Sequence, residues 1–309
     1  MDFGSINPAV LIASLMVASV PIMLAALGEL VAERAGVLNL GVEGMMIMGA
    51  VCGFIVTIQT ESAFAGFVGG ALGGAVLSLL FAFLTQVLLA NQVATGLALT
   101  MFGLGMSSLM GQGYNGLKPV QTPIVPLGPL ADIPFFGRVL FAHDAMVYFS
   151  IAMAGLLWWV LKSTRIGLIL RAVGESHEAA HALGYKVIRI RCAAIAFGGA
   201  MAGLGGAYVS LVRVPQWVDG ITAGAGWIAL AIVVFAAWKP WRVLIGAYLF
   251  GGITVLQLNL QVAGSWIPVE YLSMSPYLIT ILVLVIMSSG KGRAQNAPAA
   301  LGQNFHASR

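Results

Sequence analysis

Apolar residues run along this chain in long blocks, separated by short polar or glycine-rich breaks. A helix needs about 20 residues to cross a bilayer. On that measure, blocks near 8–28, 37–59, 64–89, 92–112, 144–161, 192–212, 225–238, 243–262 and 272–288 predict about nine transmembrane helices. The block 225–238 is short and gains length only by extending back through Gly220–Gly224. Gly36, Gly41 and Gly44 at the head of the second block can break it into a half-helix. Membrane depth tolerates such a break only where protein or water covers the freed backbone. Between 113 and 143, Pro119, Pro123, Pro126, Pro129 and Pro134 disfavour helix and predict a semi-rigid extended connection. The expected organisation is one transmembrane domain over 1–290 and a disordered tail over 291–309, rich in Gly, Ala, Asn and Gln.

Composition agrees with that pattern and excludes a soluble enzyme. The 309 residues are 60% hydrophobic and 8% charged, against about 25% charged in soluble domains. The fold class is therefore an all-α polytopic membrane protein. Thirty-nine glycines suit helices whose backbones approach closely. Cys52 and Cys192 both fall in apolar runs and read as buried thiols, neither a disulfide framework nor a metal site. Asp2 and the lack of a basic leader make the first block a retained span. The net charge of +4 reports topology first, and gives no reason to expect a nucleic-acid partner. With the 162–191 loop in the cytoplasm and sides alternating, twelve basic residues lie inside and three (Lys118, Arg138, Arg213) outside. That bias places the N-terminus outside and the C-terminus in the cytoplasm. There is no P-loop, so this chain cannot hydrolyse ATP through a Walker site.

The island from Lys162 to Arg191 carries six of the fifteen Lys and Arg residues. His177-Glu178-Ala179-Ala180-His181 within it admits two readings. As H-E-x-x-H it is the zinc-protease pattern, two histidines on one helix face with a general base between them. Against this stand the shortness of the helix, from a Ser176 cap to a Gly184 stop, and the shortage of a same-side third ligand beyond Glu29, Glu33 and Glu43. As a docking helix it offers Ala179, Ala180 and Leu183 as a small apolar face, with Glu178 favourable at its N-terminus. Among intramembrane polar residues, Glu43 is expensive unless it faces protein or water. Asn39, Glu43, Asn91 and Trp227 are candidate pathway or gate residues, although cross-helix hydrogen bonding explains the amides of Asn39, Asn91, Gln92, Gln257 and Asn259 as well. Trp217, Trp227, Trp238, Trp241 and Trp266 fall near block ends, as interfacial anchors do. A stand-alone ion-coupled transporter is the other class in view, but it needs midplane ionisable groups and only Glu43 is a candidate.

Long ordered motifs bring in a family. Gly28-Glu29, Glu33-Arg34-Ala35-Gly36-Val37-Leu38-Asn39-Leu40-Gly41-Val42-Glu43-Gly44-Met45, Thr164-Arg165-Ile166-Gly167, Arg171-Ala172-Val173-Gly174-Glu175, Asp219-Gly220-Ile221-Thr222-Ala223-Gly224 and Ser275-Pro276-Tyr277-Leu278 resemble the permeases of branched-chain amino acid, simple sugar and nucleoside ABC importers, over roughly residues 20–290. The form around Asn39–Met45 looks most like the nucleoside branch, which depends on a basic membrane lipoprotein. Simple sugars and branched-chain amino acids are the alternatives. Relatives commonly carry Asn or Pro near Ser176-His177, so the zinc pattern looks accidental. The resemblance implies a non-catalytic permease subunit in the bacterial inner membrane, with the ABC importer permease fold. The implied partners are a second homologous permease subunit in a heterodimer, an ABC ATPase that binds ATP and Mg, and an extracytoplasmic binding protein or lipoprotein. Gly174, Glu175, Glu178, Ala179, Ala180, Leu183 and Gly184 are then the ATPase-coupling residues, and no cofactor is expected in this chain.

Overall fold

Small residues decide how the centre of this chain is packed. The computed structural model describes residues 8–126, 136–262, 268–288 and 297–306. Helix α9 (Val187–Tyr208, continued by a π turn Val209–Arg213) lies against α1 (Pro8–Arg34), α2 (Val42–Thr60) and α3 (Ala63–Ala82, continued by a π turn Phe83–Val87). A Cβ at Gly49 would overlap the backbone of Gly203, and one at Gly206 would overlap the carbonyl of Met46. Backbones this close gain dispersion contacts that larger residues would forbid, which matters where lipid supplies no hydrophobic drive between helices.

Around this centre stand α4 (Gln92–Gly111), α6 (Ala145–Ser163), α11 (Pro240–Val262) and α12 (Val269–Ser288). Their outward faces are apolar and exposed, as at Met101, Leu109, Leu156, Ile245 and Leu249. In water such faces would be a liability; against lipid they are expected. Seven helices among the described residues are long and apolar enough to cross a membrane: α1, α2, α3 with its π turn, α4, α6, α9 with its π turn, and α11. Short α5 (Phe136–Leu140) and a two-stranded pairing of β1 (Ile124–Pro126) with β2 (Ala142–Asp144) sit at one end. At the other end, here termed the loop pole, lie α7 (Arg165–Glu175) and α8 (His177–Ala182).

Five expectations from the sequence meet the structure directly, two in agreement and three in correction. The second block does break: residues 35–41 are not helical and α2 starts at Val42. Protein covers the freed backbone, with Leu38 N–H donating to Gln92 Oε1 (2.9 Å), Gly41 N–H to Asn39 Oδ1 (2.9 Å) and Thr100 Oγ1 to the Leu40 carbonyl (3.1 Å). The short block does not extend backwards, because 219–224 forms turns with positive φ at Gly220, Ala223 and Gly224. Helix α10 (Ala225–Phe235) is therefore an 11-residue half-helix. Of the proline-rich connection, Pro126 lies in β1, whereas Pro129 and Pro134 lie outside the described residues. Trp217 and Trp238 are buried, at 2% and 7% exposure, and so are not interfacial anchors; Trp266 lies outside the described residues. Finally, the tail is packed over 297–306. Ala300 N–H donates to Gly174 O (3.0 Å) and Gly302 N–H to Gly36 O (3.1 Å). Composition missed this because ten residues with one buried Phe305 are held by backbone acceptors of the loop pole and by side chains distant in the sequence, such as Arg191 and Gln92.

Candidate coupling loop and translocation cavity

The loop pole is built from capped short helices. Thr164 Oγ1 accepts from Gly167 N–H (3.2 Å) and starts α7, whose Gly167 packs where a Cβ would overlap the Val160 carbonyl. Gly174 likewise leaves no room for a Cβ against the Arg34 carbonyl, which fixes the end of α7 to the end of α1. Ser176 Oγ accepts from Ala179 N–H (3.2 Å) to start α8. Gly184 ends it at φ +88°, its N–H donating to His181 O (2.8 Å) while Tyr185 N–H donates to Ala180 O (3.1 Å). This is a left-handed glycine stop, and residues with a Cβ are strained there.

The structure divides the candidate coupling residues. Gly174 and Ala180 are buried, whereas Glu175, Glu178, Ala179, Leu183 and Gly184 are exposed. Leu183 is 76% exposed, and a Cβ on Gly184 would meet nothing within 4 Å. The outward face of α8 is thus small, apolar at Ala179 and Leu183, and open. Its inward face rests on the C-terminal segment: the rings of His177 and His181 lie 5.4 and 5.2 Å from that of Phe305. Behind them, fully buried Arg191 donates through Nε to Ala35 O (3.1 Å), through Nη1 to Gln303 O (2.8 Å) and through Nη2 to His177 Nδ1 (3.4 Å). Burial, and then the Arg191 charge, hold the His177 pKa below its usual value. Asn304 Nδ2 donates to the Leu89 carbonyl (2.7 Å), which ties the segment to the turn before α4 as well. Sequence reasoning passed over Arg191 and Phe305, whose partners are distant in the chain.

Inside the bundle, polar groups act as staples. Glu43, 3% exposed, accepts from Thr222 Oγ1 (2.6 Å), Gly224 N–H (2.9 Å) and Gly226 N–H (2.7 Å). A carboxylate there meets both the free N–H groups and the positive end of α10. Asn39 accepts from Gly41 N–H, donates from its backbone to Glu29 Oε1 (3.2 Å) and points Nδ2 at Met45 Sδ (3.3 Å). Asn91 caps α4 through Ala94 N–H (3.0 Å). Trp227, on the first turn of α10, is 43% exposed. Glu33 accepts from Trp238 Nε1, and the Trp238 carbonyl accepts from Arg34 Nη2 (2.9 Å). Glu29 Oε2 and Glu33 Oε1 are buried without a hydrogen-bond partner among the described residues.

A cavity of about 730 Å³ opens between α1, the end of α9, the 221–223 turn and α11. Val17, Val209, Ile221 and Val255 supply apolar walls, and Ser14, His143 and Thr222 supply hydrogen-bonding groups. Arg213 is the charged member of the lining. Thr222 therefore faces both this cavity and the Glu43 staple.

Comparison with known proteins bears directly on this arrangement. Residues 11–287 match the model of the family described as branched-chain amino acid transport system / permease component. A candidate glucose ABC transporter permease protein, TsgC13 of Haloferax volcanii, is 40% identical, over 94% of this chain and 95% of its own. The nucleoside ABC transporter permease protein NupC of Lactococcus lactis is 33% identical, over 96% of each chain. A second Haloferax volcanii protein, the glucose ABC transporter permease protein TsgB13, is 26% identical, over 80% of this chain and 69% of its own. Among solved structures, a candidate metal-chelate type ABC transporter in an inward-facing conformation aligns with TM-score 0.53 at 17% identity, covering 93% of this chain and 91% of that one. That likeness speaks for the fold alone.

Proposed function

Since this chain belongs to the branched-chain amino acid transport system permease family, as a multi-pass protein of the cytoplasmic membrane, we propose that it forms half of the pathway through which an ATP-driven importer takes up nucleosides. It is an ABC transporter permease subunit of the sugar and nucleoside type. The observation that carries the importer mechanism is the loop pole. There α8 turns a small apolar face outward while its inner face is bonded into the bundle. An ATPase that binds ATP and Mg docks on Glu178, Ala179 and Leu183 and moves α8 as a lever. A docking site that fits both states equally shifts nothing, so the contacts must differ between them.

The loop pole is cytoplasmic in this proposal, in keeping with the twelve-to-three bias of basic residues. The cavity then opens towards the outer side, where a lipoprotein or other binding protein delivers substrate. Its mixture of apolar wall and hydroxyl groups suits an uncharged nucleoside, a base against Val and Ile and a ribose near Ser14 and Thr222. Asn39 and Glu43 hold the break in the pathway wall, Asn91 holds the head of α4, and Trp227 offers an exposed ring beside α10. The second half of the pathway is a longer homologous subunit. Haloferax volcanii holds one relative of matching length and a second of which this chain covers 69%. Glucose is the second reading, and the 40% identical relative favours it.

The test is ATP-dependent uptake by the reconstituted assembly in vesicles, with labelled nucleosides and glucose in parallel. Nucleoside uptake that needs ATP and competes only with nucleosides supports the proposal. Uptake of glucose alone transfers the assignment to sugars, and uptake without ATP removes the importer reading.

A further inference from the structure

Beyond transport, the structure offers a second site at the rim of the loop pole. We propose that the cavity between the ends of α1, α6, α7 and α11 binds the phosphate headgroup of an anionic membrane phospholipid. It has a volume of about 350 Å³ and is lined by four cations, Arg34, Lys162, Arg171 and Lys239, with no carboxylate among the described lining residues. Glu175 acts electrostatically on Arg34. Glu33 lies behind Trp238 with one oxygen engaged by the indole. A net positive cluster without paired acids costs self-repulsion, and a bound phosphodiester relieves it.

The surroundings choose lipid over free phosphate. Trp158 and Trp241 line the cavity and are about half exposed. Lys162 Nζ stands 4.8 Å from the Trp158 ring centre, and the Arg242 guanidinium 5.2 Å from that of Trp241. Indoles beside basic residues at the end of apolar helices mark the headgroup level of a bilayer. Below the cavity, Trp241, Ile245 and Leu249 recur every fourth residue along α11 and are all exposed, an apolar stripe fit for an acyl chain. A free phosphate would use the cations and leave that stripe unused. Basic cavities between helices at the membrane edge bind anionic headgroups in this way. Because Arg171 lies on α7, a bound lipid would tether the base of the α8 lever to the ends of α1, α6 and α11.

Native mass spectrometry of the purified full-length chain in its assembly reads this without any transport measurement. Phosphatidylglycerol is expected to be retained at least tenfold better than phosphatidylcholine, and millimolar inorganic phosphate should not displace it. K162Q/R171Q/K239Q together should weaken retention about a hundredfold, the product of roughly fivefold per basic side chain at an anionic surface. K162R/K239R should retain it. Equal retention of the two lipids, displacement by inorganic phosphate, unchanged retention in the triple variant, or loss in the arginine variant would each overturn the proposal. Should the triple variant not assemble, the headgroup and phosphate comparisons on the wild-type protein decide alone.

Discussion

Replacing Glu43 is the sharpest way to ask whether the break in the bundle is held from inside. Three donors converge on this carboxylate, from Thr222, Gly224 and Gly226, at 2.6 to 2.9 Å. Each hydrogen bond to a charged acceptor is worth about 1.5–3 kcal/mol. The Thr222 hydroxyl can rotate to another acceptor, but the two backbone N–H groups cannot. Glu43→Ala should therefore destabilise by about 3–6 kcal/mol, a large part of the roughly 5–15 kcal/mol that holds most folds. Glu43→Gln keeps an oxygen for Thr222 and Gly224 but sets its amide nitrogen against the Gly226 N–H. It also removes the charge at the start of α10, so about 2–4 kcal/mol is expected. The assay is the thermal midpoint of the detergent-solubilised assembly, beside uptake normalised to assembled complex. Midpoints should fall in the order wild type, Gln, Ala, with uptake per complex only partly reduced for Gln. A Glu43→Ala assembly melting within a degree of wild type would refute the staple. A stable Gln variant that has lost uptake would instead make the carboxylate a pathway group.

Four further outcomes are expected. Glu178→Lys, or Leu183→Asp, on the exposed face of α8 should abolish ATP-dependent uptake and ATPase co-purification without reducing membrane insertion. Gly184→Val places a branched residue at φ +88° and should cost on the order of 1–3 kcal/mol locally, read as faster hydrogen exchange across 177–185. Phe305→Ala empties a buried ring site and should cost about 3 kcal/mol, exposing residues 297–306 to carboxypeptidase. The His177 pKa is held down in the folded protein, so neutral His177 stabilises the docked segment above its unfolded value near 6.5. That stability is lost as pH falls from there through the folded pKa. Hydrogen exchange of 297–306 should accelerate over that window, with Arg191, His306 and Glu178 as the facing charges, and His177→Gln should flatten the profile.

Much of this fold was legible because its signals are local. Apolar block lengths found the long helices, and Ser176 and Gly184 bounded α8 from side-chain chemistry alone. The Glu178-Ala179-Ala180 run was singled out from pattern, but not that Ala180 turns inward while Leu183 turns out. What escaped is non-local. Glu43 reads as a costly charge until the 219–224 turns return to it across about 180 residues. Trp238 reads as an interfacial anchor until Glu33 and Arg34 claim its indole and carbonyl. The tail carries one aromatic and scattered amides. Nothing in such a composition announces that Arg191, Gln92, Leu89 and Gly36 supply its hydrogen bonds.

These non-local contacts join into a continuous physical route from the loop pole to the cavity. Gly174 at the end of α7 abuts the Arg34 carbonyl, and Arg34 donates to the carbonyl of Trp238. Trp238 stands just after α10 and is bonded to Glu33 on α1. At its other end α10 is held by Glu43 together with Thr222, which lines the cavity. In the proposed mechanism a displacement of α8 would thus be applied to one end of a short half-helix whose other end meets the cavity. Spatial continuity alone does not make coupling; both ends must bias the same two-state element. A double-mutant cycle isolates this. Trp238→Phe leaves one Glu33 oxygen without its donor, at about 1–3 kcal/mol, and Glu43→Gln loosens the far end. If α10 moves as one body, the two changes should be non-additive in uptake per complex by at least 0.5 kcal/mol, the range seen for coupled sites. Additive losses would mean that the two ends of α10 act separately, and that the lever reaches the cavity by another path.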